Sequence, residues 1–365
     1  MPYLIDAHQD LAYNAKTFGR DIRRSAYETR RLEQDSNTVE VNGHSLLGWP
    51  EYQRGQVGLV FCSLFVMSRS QKPGWWESQV YATPAEAYRL TRSQLDFYNR
   101  LGNESSHQFQ LVTNRSDLKR VLQPWENQLA QPPSVTHPVG LVLTIEGAEG
   151  FAQIEELEEW WQAGVRIIGP VWAGTRYCGS ITAPGRFTKE GFLLLERMAD
   201  LGYTLDIAHM SEESVLQVLD IYPGAIIASH ANAAALIESP ASERHLSDRV
   251  LRRLAERDGV MGVIPYNRFL QPGWTDHDPR EEVSLHLLLD HIDHICQMCG
   301  SADQIGLGSD YDGGFGWPAV PFEVDTVADL QKLAPLMEER GFNTEEIEAF
   351  FHSNWRRILE RTLPA

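Results

Sequence analysis

A (β/α)8 barrel of the TIM type is the fold class this α/β sequence predicts, and three observations predict it. Eight short apolar runs punctuate the 365 residues, and amphipathic helical stretches separate most of them. The metal-ligand-type side chains His8, Asp10, Glu146, His209, His230 and Asp310 fall just after five of those runs, each time on the carboxyl side. Strand alternating with helix gives a parallel sheet, and a parallel barrel presents its functional groups at the carboxyl ends of its strands. One such coincidence carries little weight; five with the same polarity are hard to produce by chance.

The runs are Tyr3–Ala7, Gly58–Met67, Gly140–Ile145, Val165–Val171, Tyr203–Ala208, Ala225–Ser229, Val260–Pro265 and Ile305–Ser309. They are continuously apolar rather than alternating, as strands buried on both faces are. Between them the helical period marks Pro84–Leu101, Ile154–Ala163 and Thr188–Leu201. Ser211–Asp220 opens with an N-cap serine and acidic residues that suit a helix N-terminus. Ser247–Arg257 and Val283–Gly300 follow the same logic, the latter stopping at glycine. Thr344–Arg361 closes the chain as a helix with Phe350, Phe351, Trp355 and Leu359 on its apolar side.

Two segments break the rhythm. Phe18–Glu51 is polar and has little periodicity; Ser68–Thr83, with Pro73-Gly74-Trp75-Trp76, is a long loop at the carboxyl end of the second strand, where it would cover a pocket. Trp317-Pro318 sits in another such loop, after the eighth strand. No repeat, low-complexity tract or linker divides the chain, so the expectation is one barrel domain over residues 1–365 with insertions at about 18–51 and 68–83.

A 42% hydrophobic and 10% aromatic composition gives a full core. The formal net charge of −18 argues against nucleic-acid or anionic-membrane partners, which require basic patches. The start, MPYLIDAHQDL, enters a strand at once, and no run of apolar residues is long enough to span a bilayer. Four cysteines suit a reducing cytoplasm. Cys296-Gln-Met-Cys299 lies late in a helical pattern with no second pair, and reads as two thiols on one turn rather than a zinc or redox site.

The ligand-type residues have a chemistry in common. His8 and Asp10, at i and i+2 of an extended strand, point to one face and reach one ion. Glu146 follows six uncharged residues; a buried carboxylate is costly unless paired or metal-bound, and its two oxygens are able to bridge two cations. His209 and His230 end consecutive strands, and neutral imidazoles there are ready zinc ligands. Five ligands are too many for one open tetrahedral zinc and suit two zincs sharing a carboxylate. Asp310, nearer its strand end than the competing Asp312, is placed to carry protons.

These residues resemble the membrane (renal) dipeptidase family of zinc peptidases, in the manner of its bacterial-type soluble members. The motifs are Asp6-Ala7-His8-Gln9-Asp10, Ile145-Glu146-Gly147, Asp206-Ile207-Ala208-His209, Ser229-His230 and Ser309-Asp310-Tyr311-Asp312-Gly313, in the family's order. The resemblance implies two Zn2+ per chain: His8 and Asp10 on one, His209 and His230 on the other, and Glu146 bridging. It implies a metal-bridging hydroxide as nucleophile, Asp310 as acid/base, and Arg244 of Arg244-His245-Leu246-Ser247-Asp248 as the holder of the substrate carboxylate. Where the family has a histidine six residues after an arginine, this chain has Trp172 after Arg166. An indole N–H donates one hydrogen bond but carries no charge.

The expected function is therefore a cytoplasmic zinc dipeptidase acting on a small dipeptide-like substrate. A different small amide or a lactone, or a catalytically weak metal-binding barrel, stays open because of Trp172, and so does a homodimer.

Overall fold

The computed structural model describes residues 1–127, 135–151, 153–174, 176–237 and 244–365. All eight runs form strands: β1 Leu4–Gln9, β2 Val57–Phe65, β3 Val139–Glu146, β4 Val165–Gly169, β5 Thr204–Asp206, β6 Ile226–Ile227, β7 Met261–Val263 and β8 Ile305–Leu307. Every residue in them is buried, which is why the runs are apolar without alternation.

The strands are parallel neighbours in the order β7-β8-β1-β2-β3-β4-β5-β6. A parallel bridge between Ala228 and Met261 joins β6 to β7 and completes the ring. The longest ladder, β2 on β3, runs in register from Leu59 opposite Gly140 to Phe65 opposite Glu146. A short strand, Phe109–Leu111, adds to the amino-terminal half of β3. The result is the predicted α/β barrel, with all strands pointing their carboxyl ends at one face.

Helices Pro84–Glu104, Lys189–Leu201, Glu212–Ile221, Asp248–Glu256 and Leu285–Cys299 lie where the period places them. Thr83, Thr188, Ser247 and Ser284 cap their helices by accepting from backbone N–H groups. Ser211 corrects the expectation: it occupies the N-cap position without a side-chain cap, and its hydroxyl donates instead to the Gly185 carbonyl at 2.8 Å. The C-terminal helix is interrupted by a π turn, Ala349–Ser353, between Thr344–Glu348 and Asn354–Thr362. Phe350, Phe351 and Trp355 are fully buried, and the Trp355 indole donates to the Leu307 carbonyl of β8 at 3.0 Å.

The polar segment after β1 is more ordered than its sequence suggests. It holds helices Ala26–Glu33, Thr38–Asn42 and Trp49–Arg54, each of eight residues or fewer and too short to register as a period. Cys296 and Cys299 are free thiols, as are Cys62 and Cys178. Among the described residues, no helix is long and apolar enough to cross a membrane.

Candidate metal centre

The six ligand-type residues arrive at the carboxyl face on five strand ends. His8 is in β1 and Asp10 directly follows it; Glu146 is the last residue of β3; His209 and His230 follow β5 and β6, and Asp310 follows β8. Glycine at 308 lets the last two meet. A Cβ there would lie 1.9 Å from the Ser229 carbonyl oxygen and 3.2 Å from the His230 Cα. His209 and Asp310 take left-handed backbone, φ 65° and 57°. Non-glycine residues there cost about 1–3 kcal/mol each and concentrate at functional sites.

Glu146 stands at the middle. Its Oε2 is 3.3 Å from His8 Nε2, and its Oε1 is 3.0 Å from His209 Nε2 and 3.6 Å from His230 Nε2. The two histidine Nε2 atoms are 2.9 Å apart. His8 Nε2 is also 3.7 Å from Asp10 Oδ2 and 3.9 Å from Asp310 Oδ1. All are buried or nearly so. Two sets, His8/Asp10/Glu146 and Glu146/His209/His230, each bring three donor atoms within 4.8 Å of one another, and His8/His230/Asp310 forms a third.

The electrostatics fit a cation. Three carboxylates and three imidazoles converge, and His8 Nε2 and His209 Nδ1 are buried without a hydrogen-bond partner. Burial pushes the Glu146 carboxyl up, but the His8 charge and the nearby His209 and His230 imidazoles outweigh it and hold the group well below its ordinary range. Burial, helped by the Arg244 charge, lowers His209 to about 4. Burial and His8 lower His230 as well, so both present neutral rings of the kind a metal requires. Burial, with Asp10 and Glu146 nearby, raises Asp310.

A supporting layer fixes these donors. The Asp6 carboxylate accepts from Ser309 N at 2.7 Å, Ser309 Oγ at 2.5 Å and Gln9 Nε2 at 2.6 Å. The Asp206 carboxylate accepts from Ser229 N at 2.9 Å and Ala208 N at 3.1 Å. Ser229 Oγ lies 2.7 Å from His230 Nδ1, and Ser63 Oγ donates to Asp10 Oδ1. Such partners orient ligands as surely as the ligands hold the ion. Asp6 and Asp206 opened two of the sequence motifs without a role of their own, and Ser63 was absent from the sequence expectation. Their signal is visible afterwards as a polar residue inside an apolar run: YLIDA, YTLDI and VFCSLF.

The two aspartates of the last motif separate cleanly. Asp312 accepts from Ser45 Oγ at 2.7 Å and Leu46 N at 2.8 Å, and lies 3.3 Å from Arg20 Nη1; it ties the segment after β1 to the face of the barrel. Asp310 lines a cavity of about 370 Å³ together with Asp10, Glu146, His209, Arg244 and Trp172. Arg244 is buried, its Nη1 donates to the His230 carbonyl at 3.0 Å, and its Nη2 has no partner. Trp172 packs edge-on against Phe65 at 5.0 Å and lies 6.1 Å from the His209 ring. Both irregular segments reach the cavity: Val41 from one, and Gln71, Pro73 and Trp76 from the other.

A profile of the family described as membrane dipeptidase (peptidase family M19) matches residues 2–363. An uncharacterized protein in the pqqA 5′ region of Klebsiella pneumoniae is 29% identical, over 76% of this chain and 98% of that protein. Dipeptidase tcpJ of Claviceps purpurea is 25% identical, over 92% of this chain and 73% of its own length. A metallopeptidase crystal structure from Rhodobacter sphaeroides, liganded with a phosphinate mimic of the dipeptide L-Ala-D-Ala, superposes with a TM-score of 0.76. It is 21% identical and covers 99% of both chains.

Proposed function

The chain belongs to the membrane dipeptidase family, peptidase family M19, and from that premise we propose that it hydrolyses dipeptides at a centre of two zinc ions. The observation that carries this reading is the division of Glu146: one carboxylate oxygen faces His8 and the other faces His209 and His230. In this reading His8 and Asp10 hold one ion, His209 and His230 the other, and Glu146 both. When bound, the ions supply Lewis acidity at the scissile carbonyl and lower the pKa of the attacking water.

The remaining work falls to the chain's own side chains. Arg244 Nη2 donates to the substrate carboxylate while Nη1, fixed on the His230 carbonyl, keeps the guanidinium aimed. Asp310 Oδ1 takes a proton from the attacking water as the C–O bond forms and then gives it to the nitrogen as the C–N bond of the tetrahedral adduct breaks, so that one water is consumed. Trp172 and the segment around Trp76 close the cavity wall and keep bulk water from the reacting carbonyl.

The test is hydrolysis of a dipeptide panel by zinc-loaded protein, with amino-acid release as the readout. Turnover that a chelator abolishes and added zinc restores is the expected result. A protein that binds zinc tightly and cleaves no dipeptide contradicts the proposal.

A further inference from the structure

The cavity above the centre has two unlike flanks. Against His230 lies Arg244, the one cationic side chain that lines the cavity among the described residues, with Nη2 buried and unpartnered. Against His209 lies Trp172, which joins Tyr13, Phe65 and Met67 in a small apolar cluster of its own. Phe65 meets Trp172 at 5.0 Å and Tyr13 at 5.6 Å, both edge-on. The Tyr13 hydroxyl donates to Glu77 at 2.6 Å, so this wall's one phenolic O–H already has its partner. Trp76, stacked on Phe18 at 5.6 Å, extends the surface over the mouth.

A dipeptide carries its carboxylate and its N-terminal side chain on opposite sides of the scissile bond. With the carboxylate at Arg244 and the carbonyl over Glu146, the N-terminal side chain meets the wall that Trp172 builds. Among the described residues no charged side chain belongs to that cluster, so a charged group placed there would be desolvated without a partner, whereas an aromatic ring would find edge-to-face partners. Resting on the dipeptidase reading, we infer that Trp172 is a specificity-determining residue and that the enzyme takes dipeptides whose N-terminal residue bears a large apolar, preferably aromatic, side chain. The indole thus supplies surface for the substrate at a position close to the centre.

The experiment measures kcat/KM of zinc-loaded protein on Phe-Ala, Leu-Ala, Ala-Ala, Asp-Ala and Lys-Ala. Phe-Ala is expected to exceed Ala-Ala by roughly 10-fold or more, the discrimination an apolar pocket gives for a larger side chain, with Asp-Ala and Lys-Ala lowest. Trp172→Ala should bring the Phe-Ala to Ala-Ala ratio close to one, and Trp172→Phe should largely preserve it. If Trp172→Ala does not fold, Trp172→His carries the same test, since the smaller polar ring should also lower the ratio. Calorimetric binding of the same peptides to zinc-loaded Asp310→Asn protein should give the same order without turnover. A flat or reversed order in the wild type, or a ratio unchanged by the Trp172 variants, overturns this inference and leaves the dipeptidase reading intact. Absence of turnover on every peptide removes the dipeptidase reading itself.

Discussion

At the β1–β8 corner of the barrel, the Asp6 carboxylate binds the backbone N–H and hydroxyl of Ser309, just before Asp310; at the β5–β6 corner, Asp206 binds the same two groups of Ser229, just before His230. In both corners the aspartate also accepts from the backbone two residues on, His8 N in one and Ala208 N in the other. The scaffold is therefore repeated, and only the residues it delivers differ. The first corner delivers His8 with the carboxylates Asp10 and Asp310; the second delivers two imidazoles. Burial opposes a charge on His8, yet Glu146 and Asp10 raise it, while burial leaves His209 and His230 neutral. One half of the centre carries carboxylates beside its imidazole and the other carries imidazoles alone, and Glu146 spans them. The local backbone device sets position, and the terminal side chain alone sets chemistry.

The sharpest way to break this comparison is at the carboxylate-bearing half. Asp310→Asn should keep both metals and reduce turnover by about 10²–10⁴-fold, the range of a positioned acid–base group. Asp312→Asn should instead lower stability by about 1–3 kcal/mol, because it loosens buried bonds to Ser45 and Leu46. Stopped assays and thermal melts on the pair would separate the roles; activity lost only in Asp312→Asn would reverse them.

A smaller effect addresses the support. Ser63→Ala should weaken metal binding about 10–100-fold at the His8/Asp10 half, and Ser229→Ala should do so at the His209/His230 half, since outer partners typically carry that much. Competition with a chromophoric chelator resolves the two sites. Equal weakening of both sites by either variant would mean that the halves are not separately supported.

The smallest expected change is at Trp172, on the neutral flank. Trp172→His introduces a donor beside His209 and should raise kcat on small dipeptides such as Ala-Ala more than it changes KM. The gain should stay below the roughly 10²-fold that one preorganised oxyanion donor carries. Steady-state kinetics at matched zinc content decide it, and no gain on any dipeptide would place the oxyanion donor elsewhere.

Much of the centre was legible because a buried strand that ends in a charge or an imidazole demands an explanation, and six residues made the same demand. The barrel was legible for the related reason that strands covered on both faces leave unbroken apolar runs. The three short helices between β1 and β2 were not, because elements of five to eight residues hold too little period to read. The choice between Asp310 and Asp312 rested on distance from the strand end; the hydrogen bonds that bind Asp312 to Ser45 and Leu46 join positions some 270 residues apart, beyond any local pattern. The left-handed backbone at His209 and Asp310 likewise leaves no mark in composition. The apolar wall is illegible for a further reason: Tyr13, Phe65, Trp76 and Trp172 come from separate segments and become one surface only when the strands close.

The central claim is that Glu146 serves both halves at once. Metal analysis by mass spectrometry of wild-type and Glu146→Gln protein, purified without chelator, tests it most directly. The account predicts about two zinc ions per chain in the wild type, as the paired donor sets imply, and loss from both sites in Glu146→Gln. One ion in the wild type, or a variant that loses a single ion and keeps the other at full occupancy, would contradict it.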